Sequence, residues 1–289
     1  MTRIAILTDS TANLPELWAN HYRIQVVPLK IHWESRTYLD GIGITPDQLY
    51  REYRLCNYPP TTSQPSMYDF LHRFENLAEH AEGILAPLIS SGISGTVGVA
   101  QAAVHEFTRV PVEIIDTRVT AMGQMLIVLT AARAAEQGKS LQEIQKITDA
   151  VVQQMRVFFT VDTLKYLHRG GRINGTSRLL GTALDIKPIL TFSSAGKIET
   201  LERVRTKKKS LQRMIALAKE TAQGKPVHVA IAHACDQDTA NLLCEEAQKN
   251  LNCIEMATVE FSPAIGVHLG PGAVGIALYS ENSLVKKQP

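Results

Sequence analysis

The chain has 289 residues, 45% of them hydrophobic and 20% charged, with a formal net charge of +2. That length suits two domains of moderate size, and the composition is that of a globular protein able to bury a sizeable core. The near-neutral balance gives no whole-molecule reason to expect a nucleic-acid partner. In chain order, residues 3–8 read as a short buried strand. Asp9-Ser10-Thr11-Ala12-Asn13-Leu14-Pro15 then supplies a turn, a cap and an early-helix proline. Residues 24–32, rich in Ile and Val, form a second strand, and Thr45-Pro46-Asp47 opens a helix. Residues 83–89 and 112–116 are further strands, each followed by helical sequence. A strand-then-helix rhythm of this kind predicts a parallel sheet with helices on both faces.

Beyond about residue 155 the rhythm changes. Residues 158–171 read as a helix, and strands near 187–192 and 197–205 flank a hairpin-like turn at Ala195-Gly196. A helix over 208–223, a strand over 227–233, a helix over 238–250 and strands over 254–261 and 273–280 complete the pattern. Hairpins mixed with helices predict a mixed sheet. The expected fold class is α/β with two domains. Residues 1–155 form a three-layer α/β/α domain with a parallel sheet, and residues 156–289 an α+β domain with a mixed sheet. No Pro/Gly-rich linker marks the boundary, and the tail at 286–289 is expected to fray.

Targeting and metal chemistry find little support. The apolar run at 4–7 is too short for a secretory signal and no small-residue cleavage site follows, so a cytoplasmic protein is expected. The apolar stretch 121–135 is broken by Gln124, Thr130 and Arg133. It falls short of the about 20 residues of a membrane span, which predicts a buried helix and no integral membrane protein. Cys56, Cys235, Cys244 and Cys253 show no Cys-x-x-Cys spacing and no His at ligand spacing. Neither a zinc site nor a disulfide framework is expected, and no other cofactor is indicated.

Four segments carry more Gly, Ser, Thr and Arg than secondary structure requires. In Pro59-Pro60-Thr61-Thr62-Ser63-Gln64-Pro65-Ser66, prolines hold the loop extended, Ser66 suits a helix cap, and Thr62 and Ser63 remain for ligand contact. In Ser90-Ser91-Gly92-Ile93-Ser94-Gly95-Thr96, a strand gives way to a helix at a glycine-rich junction. Backbone amides at Gly92, Gly95 and Thr96 and the Ser94 hydroxyl suit an anion there. The junction is neither a Walker loop nor a dinucleotide fingerprint nor a nucleophile elbow. In Thr163 to Ile173, His168, Arg169 and Gly170 read as a helix stop, while Arg172 lies beyond it and suits a phosphate or carboxylate. In His268-Leu269-Gly270-Pro271-Gly272, an imidazole sits ahead of a rigid turn. Asp9-Ser10-Thr11 reads first as a cap, and Arg203, Arg205, Lys207, Lys208 and Lys209 as a solvated basic face. No metal-ligand cluster and no evident general base accompany the serines, which favours a binding protein over a self-sufficient enzyme.

Taken together, Thr8-Asp9-Ser10-Thr11-Ala12, Thr62-Ser63-Gln64-Pro65-Ser66, Ser91-Gly92-Ile93-Ser94-Gly95-Thr96, Leu164-Lys165-Tyr166-Leu167 with Gly170-Gly171-Arg172-Ile173, Lys187-Pro188-Ile189-Leu190 and His268-Leu269-Gly270-Pro271-Gly272 resemble, in this order, the motifs of DegV-family proteins. The resemblance runs from Met1 to about Ser280 and implies a non-enzymatic carrier that buries one long-chain fatty acid. It implies that Thr62, Ser63, Ser94 and His268 hold the carboxylate, with the Gly92, Gly95 and Thr96 backbone nearby. It further implies a separate ATP-binding subunit, similar to dihydroxyacetone kinase, that phosphorylates the bound acid, with Arg172 near the phosphoryl group or the docking surface. Ile93, Met122, Met125, Leu126 and Leu129 are candidate tunnel residues that sequence does not separate from ordinary core. The alternatives are a serine hydrolase or acyltransferase using Ser94 and His268, a binder of small phosphorylated ligands, and an interaction module with no bound lipid.

Overall fold

A computed structural model of the chain describes residues 4–53, 59–173 and 186–280. Arg3, Cys56 and the tail expected to fray at 286–289 lie outside these residues. The first half runs β1 (Ile4–Asp9), a 3-10 turn (Ser10–Ala12), α1 (Glu16–His21), β2 (Gln25–Val27), β3 (Lys30–Trp33), β4 (Arg36–Leu39), α2 (Pro46–Tyr53), β5 (Thr61–Ser63), α3 (Met67–Ala78), β6 (Gly83–Leu88), α4 (Thr96–Glu106), β7 (Val112–Asp116), α5 (Ala121–Glu136) and α6 (Leu141–Gln154). The second runs β8 (Arg156–Thr160), α7 (Lys165–Arg169), β9 (Lys187–Phe192), β10 (Ile198–Val204), α8 (Lys207–Ala222), β11 (Pro226–His233), α9 (Gln237–Asn250), β12 (Asn252–Glu260), α10 (Pro263–Leu269) and β13 (Val274–Ser280).

The strands form a parallel sheet in the order β2-β1-β6-β7 and a mixed sheet in the order β10-β9-β8-β13-β11-β12. Within the mixed sheet β11 and β12 pair in parallel and the other neighbours antiparallel. Helices α3 and α4 cover one face of the parallel sheet, and α5 and α6 cover the other. Helix α5 also packs on β11 and β13, so one helix layer serves both sheets, and α8 and α9 close the far side. This double duty explains why residues 121–132 are buried all round, as a helix enclosed on every face must be. Local sequence sets the helix starts: Ser66 with Asp69 and Ser140 with Glu143 each form a reciprocal capping box.

Three expectations are corrected. Residues 24–32 are not one strand: Pro28 has no N–H to give a ladder, and the chain turns there from β2 into β3. Strand β3 belongs to a separate antiparallel sheet, β4-β3-β5, that the sequence did not suggest. Residues 158–171 are not one helix either. Val157-Phe158-Phe159-Thr160 is β-branched and aromatic, and β8 is covered on both faces, so its apolar run is continuous rather than alternating. Only Lys165–Arg169 is helical. Conversely α10 was missed, although Ser262-Pro263 places a proline in its first turn.

Candidate functional site

The carboxyl ends of the parallel strands carry the pieces of a site. At the end of β1, the buried Asp9 carboxylate accepts from Thr11 N at 3.0 Å, Ile89 N at 2.8 Å and Gln124 Nε2 at 3.1 Å, and from the Thr11 hydroxyl. Burial raises its pKa, with the hydrogen bonds opposing. The cap expected from Asp9-Ser10-Thr11 is therefore also a hub joining β1, β6 and α5. At the end of β6, Ser90 Oγ donates to the Gly196 carbonyl at 2.8 Å. A Cβ on Gly92 would run into the Ala195 and Gly196 backbone. The glycine thus lets the β9–β10 turn of the mixed sheet seat on the loop that follows β6.

Between the two sheets lies a cavity. Its polar lining is Thr11, Thr62, Ser94, Thr120, Arg172 and His268, and the remaining walls are apolar, including Leu29, Met122, Phe159, Phe192 and Phe261. Four of the expected residues meet here from four distant segments. Thr62 Oγ1 on β5 lies 2.7 Å from His268 Nε2 on α10. Ser94 Oγ lies 2.9 Å from Thr96 Oγ1 and accepts from Thr96 N at 3.3 Å, which fixes it at the start of α4. Arg172 donates through Nε to the Ile93 carbonyl at 3.1 Å and through Nη1 to the Gly170 carbonyl at 2.6 Å. Burial depresses its pKa and no acidic neighbour offsets that. The guanidinium therefore stays charged without a carboxylate beside it among the described residues.

His268 is set into the wall of this chamber. One flank lines the cavity, so the residue as a whole is half-buried, yet Nδ1 is sealed from solvent and has no partner among the described residues. Burial first, and the Arg172 charge second, hold its pKa down to about 4, so the ring is neutral at pH 7. A Cβ on Gly170 would run into this imidazole. The glycine read from sequence as a helix stop thus has a second role, leaving room for the ring.

Other expected residues fall elsewhere. Ser63 does not join Thr62 in the cavity: its Oγ lies 2.8 Å from His32 Nε2. Successive residues on a strand point to opposite faces, so only one of the pair reaches the chamber. Thr96 is fully buried behind Ser94. Gly92 and Gly95 line a second, outer cleft, together with Ser94, Gly171, Arg172 and Lys197. Ser94 and Arg172 thus border both spaces. No hydrogen bond joins Ser94 to His268 among the described residues, each being paired with a threonine instead. Ile93 and Met122 line the cavity, whereas Met125, Leu126 and Leu129 are core. In the basic run, Lys207 is bound to Asp236, Asp162 and the Gly272 carbonyl, while Arg203, Arg205, Lys208 and Lys209 are exposed.

Sequence reasoning singled out neither Thr120 nor the aromatic walls. Nor did it foresee that Asp47, Cys235 and Glu260 bring their ligand atoms within 4.8 Å of one another. Partial desolvation and the Glu260 charge push the Cys235 thiol up to about 12, which keeps it protonated. A protonated thiol is a poor metal ligand.

A chamber of this kind can enclose an apolar body and hold one small anionic end beside hydroxyls, a neutral imidazole and a guanidinium. Residues 3–281 match the profile of a family described as uncharacterised protein, DegV family. The chain belongs to the DegV family. Protein DegV of Bacillus subtilis is 34% identical over 275 residues, covering 94% of this chain and 98% of that one. Among solved DegV structures, a protein from Thermus thermophilus described by its fatty acid binding superposes with a TM-score of 0.92 at 34% identity, covering 97% of this chain and 100% of that one. DegV of Bacillus subtilis, described as a fatty acid binding protein, gives 0.89 at 32% identity with coverage of 97% and 100%. A fatty acid binding DegV-family protein from Streptococcus agalactiae gives 0.88 at 32% identity with coverage of 98% and 100%. The α/β architecture with one parallel and one mixed sheet is therefore the DegV fold. No helix among the described residues is long and apolar enough to cross a membrane.

Proposed function

We propose that this DegV protein binds one long-chain fatty acid, with the acyl chain in the apolar cavity and the carboxylate at Thr62, Ser94, His268 and Arg172. The observation that carries the reading is an apolar chamber with a polar cluster of two hydroxyls, a neutral imidazole and a guanidinium that has no acid partner among the described residues. Each methylene moved from water into the chamber contributes about 0.8 kcal/mol. Charge-assisted hydrogen bonds then offset the desolvation of the carboxylate. The fatty acid binding described for the Thermus, Bacillus and Streptococcus relatives supports the same ligand class.

The reading extends to a carrier role without catalysis of its own. The outer cleft bordered by Ser94, Arg172 and Lys197 gives a separate ATP-binding subunit access to the carboxylate. There a phosphoryl group passes from ATP to a carboxylate oxygen, leaving ADP and an acyl phosphate. Native mass spectrometry of the purified protein, followed by solvent extraction, tests the binding step. A stoichiometric adduct of fatty-acid mass is expected; a polypeptide that stays bare after incubation with a panel of long-chain acids overturns it. The carrier step predicts acyl phosphate only when both subunits, ATP and acid are present. Ester hydrolysis abolished by Ser94→Ala would instead favour an enzyme.

A further inference from the structure

The cavity holds one polar feature that the head-group reading does not use. Thr120, Ala121 and Met122, where α5 begins, all line it. First-turn N–H groups of a helix have no acceptor inside the helix, and a threonine just before a helix ordinarily turns its hydroxyl back to accept from one of them. Thr120 occupies that cap position with extended backbone, yet its side chain makes no cap hydrogen bond. Its Oγ1 is buried with no partner among the described residues, in a residue only 8% exposed. The next residue, Ala121, enters the helix at φ 53°, in the left-handed region that alanine avoids.

The other cavity hydroxyls differ. Thr11 Oγ1 donates to Asp9 and lies 2.9 Å from Gln124 Oε1, Thr62 is paired with His268, and Ser94 with Thr96. Among the described residues, only at Thr120 do an unpaired hydroxyl and uncapped amides share the wall with Met122, Val157, Phe159 and Phe192. The position is away from the outer cleft. Ser94 and Arg172 border the outer cleft, whereas Thr120 does not. Its chain neighbours Thr117–Val119 instead line a surface pocket with Val157 and Phe192, on the aromatic side. An unsubstituted alkyl chain offers these donors nothing, and a buried polar group without a partner is unfavourable.

We infer that Thr120 and the first turn of α5 form a second polar subsite, which takes a hydroxyl carried on the acyl chain away from the carboxylate. The inference rests on the fatty-acid reading and specifies its ligand class as a hydroxylated long-chain acid. A hydroxyl fits both sides of the subsite, since it accepts from a backbone N–H and donates to Oγ1.

The test compares stearic acid with a positional series of hydroxystearic acids on delipidated protein, using wild type, Thr120→Val and Thr120→Ser. The quantity read is the affinity ratio of each hydroxy acid to stearic acid. In wild type one positional isomer is expected at a ratio of about ten, the worth of one buried hydrogen bond pair. The ratio should collapse to about one in Thr120→Val and return in Thr120→Ser, with thermal melts confirming that each variant is folded. No preferred isomer in wild type, or a ratio that survives Thr120→Val, overturns the inference. A parallel loss of all the acids in Thr120→Val leaves the ratio intact and assigns the hydroxyl to the carboxylate instead. If wild type binds none of these acids, the fatty-acid reading itself fails and takes this one with it.

Discussion

Asp9 and His268 are both polar groups beside the same apolar cavity, and their surroundings differ in kind. The Asp9 carboxylate meets amides of two loops, a hydroxyl and the Gln124 amide. Its neighbours Thr8 and Thr117 are bonded in turn to the Pro87 and Leu88 carbonyls. Each of these donors has an acceptor. Among the described residues His268 has one partner, Thr62, and a sealed Nδ1 with none, and the guanidinium that faces it has no acid. Closed polar networks fix a fold because each member is satisfied only in that geometry. An open one leaves free energy that a ligand can recover. The two clusters therefore separate what holds this DegV protein together from what is proposed to hold its ligand.

The sharpest way to break the contrast is at the hub. Asp9→Ala leaves the Ile89 amide, Thr11 and Gln124 buried without their acceptor. Buried groups stripped of a charged partner cost about 3–5 kcal/mol. Denaturant unfolding should show a loss of that size, and a loss below about 1 kcal/mol would mean that the hub is not the tie it looks.

Next in size is the pH dependence of the open cluster. The folded His268 pKa of about 4 lies below the ordinary value of 6.5. Below pH 6.5 the unfolded imidazole binds a proton while the folded one stays neutral, so stability falls as pH drops from about 6.5 to about 4. The loss is at most about 3 kcal/mol by linkage. Asp9 and Asp40, whose pKa values burial raises, act in the opposite direction, since the folded state holds their protons more tightly. The quantity to measure is thus the difference between wild type and His268→Gln across this window. A flat difference would place the ring in a wetter setting than the cavity wall.

Much of this layout was legible in the sequence, and the failures have physical causes. Strand-then-helix alternation gives the parallel sheet, and Ser66 reads as a helix cap, because both are local signals. The split of residues 24–32 at Pro28 was missed because two short strands in different sheets share one apolar pattern. The end of strand β8, residues 158–160, reads as helix in the sequence because a strand buried on both faces loses its alternation. Thr62, Ser94, Arg172 and His268 were found as members of separate motifs, but their meeting spans 206 residues between Thr62 and His268, and only a family resemblance connected them. The cavity wall was not legible at all. Met122 lines it and Met125, one turn along the same helix, does not, and no property of methionine distinguishes the two.

On the proposed reading, His268→Ala or Ser94→Ala removes a hydrogen bond to the ligand carboxylate. Such bonds are worth about 1.5–3 kcal/mol, so fatty-acid affinity should fall about ten- to a hundredfold in a protein that still melts cooperatively. Arg172→Met keeps the apolar stem but removes the charge, and it should weaken the acid by a similar factor while sparing a neutral long-chain alcohol. Equal losses for acid and alcohol would reduce Arg172 to a packing residue.

The smallest effect is expected at Ser63, and it tests the comparison at the level of one residue. Thr62 and Ser63 are adjacent hydroxyls on β5, and the family resemblance implies a carboxylate contact for both. The pleat sends Thr62 to His268 and Ser63 to His32. Thr62→Val should therefore weaken fatty-acid binding by about tenfold, while Ser63→Ala should leave it within about twofold of wild type. Titration of the same delipidated acid into both variants decides the point. Equal losses would mean that β5 shifts or twists when ligand binds, bringing the second hydroxyl round, and the register of β5 on β3 would then belong to the bound state as well as to the fold.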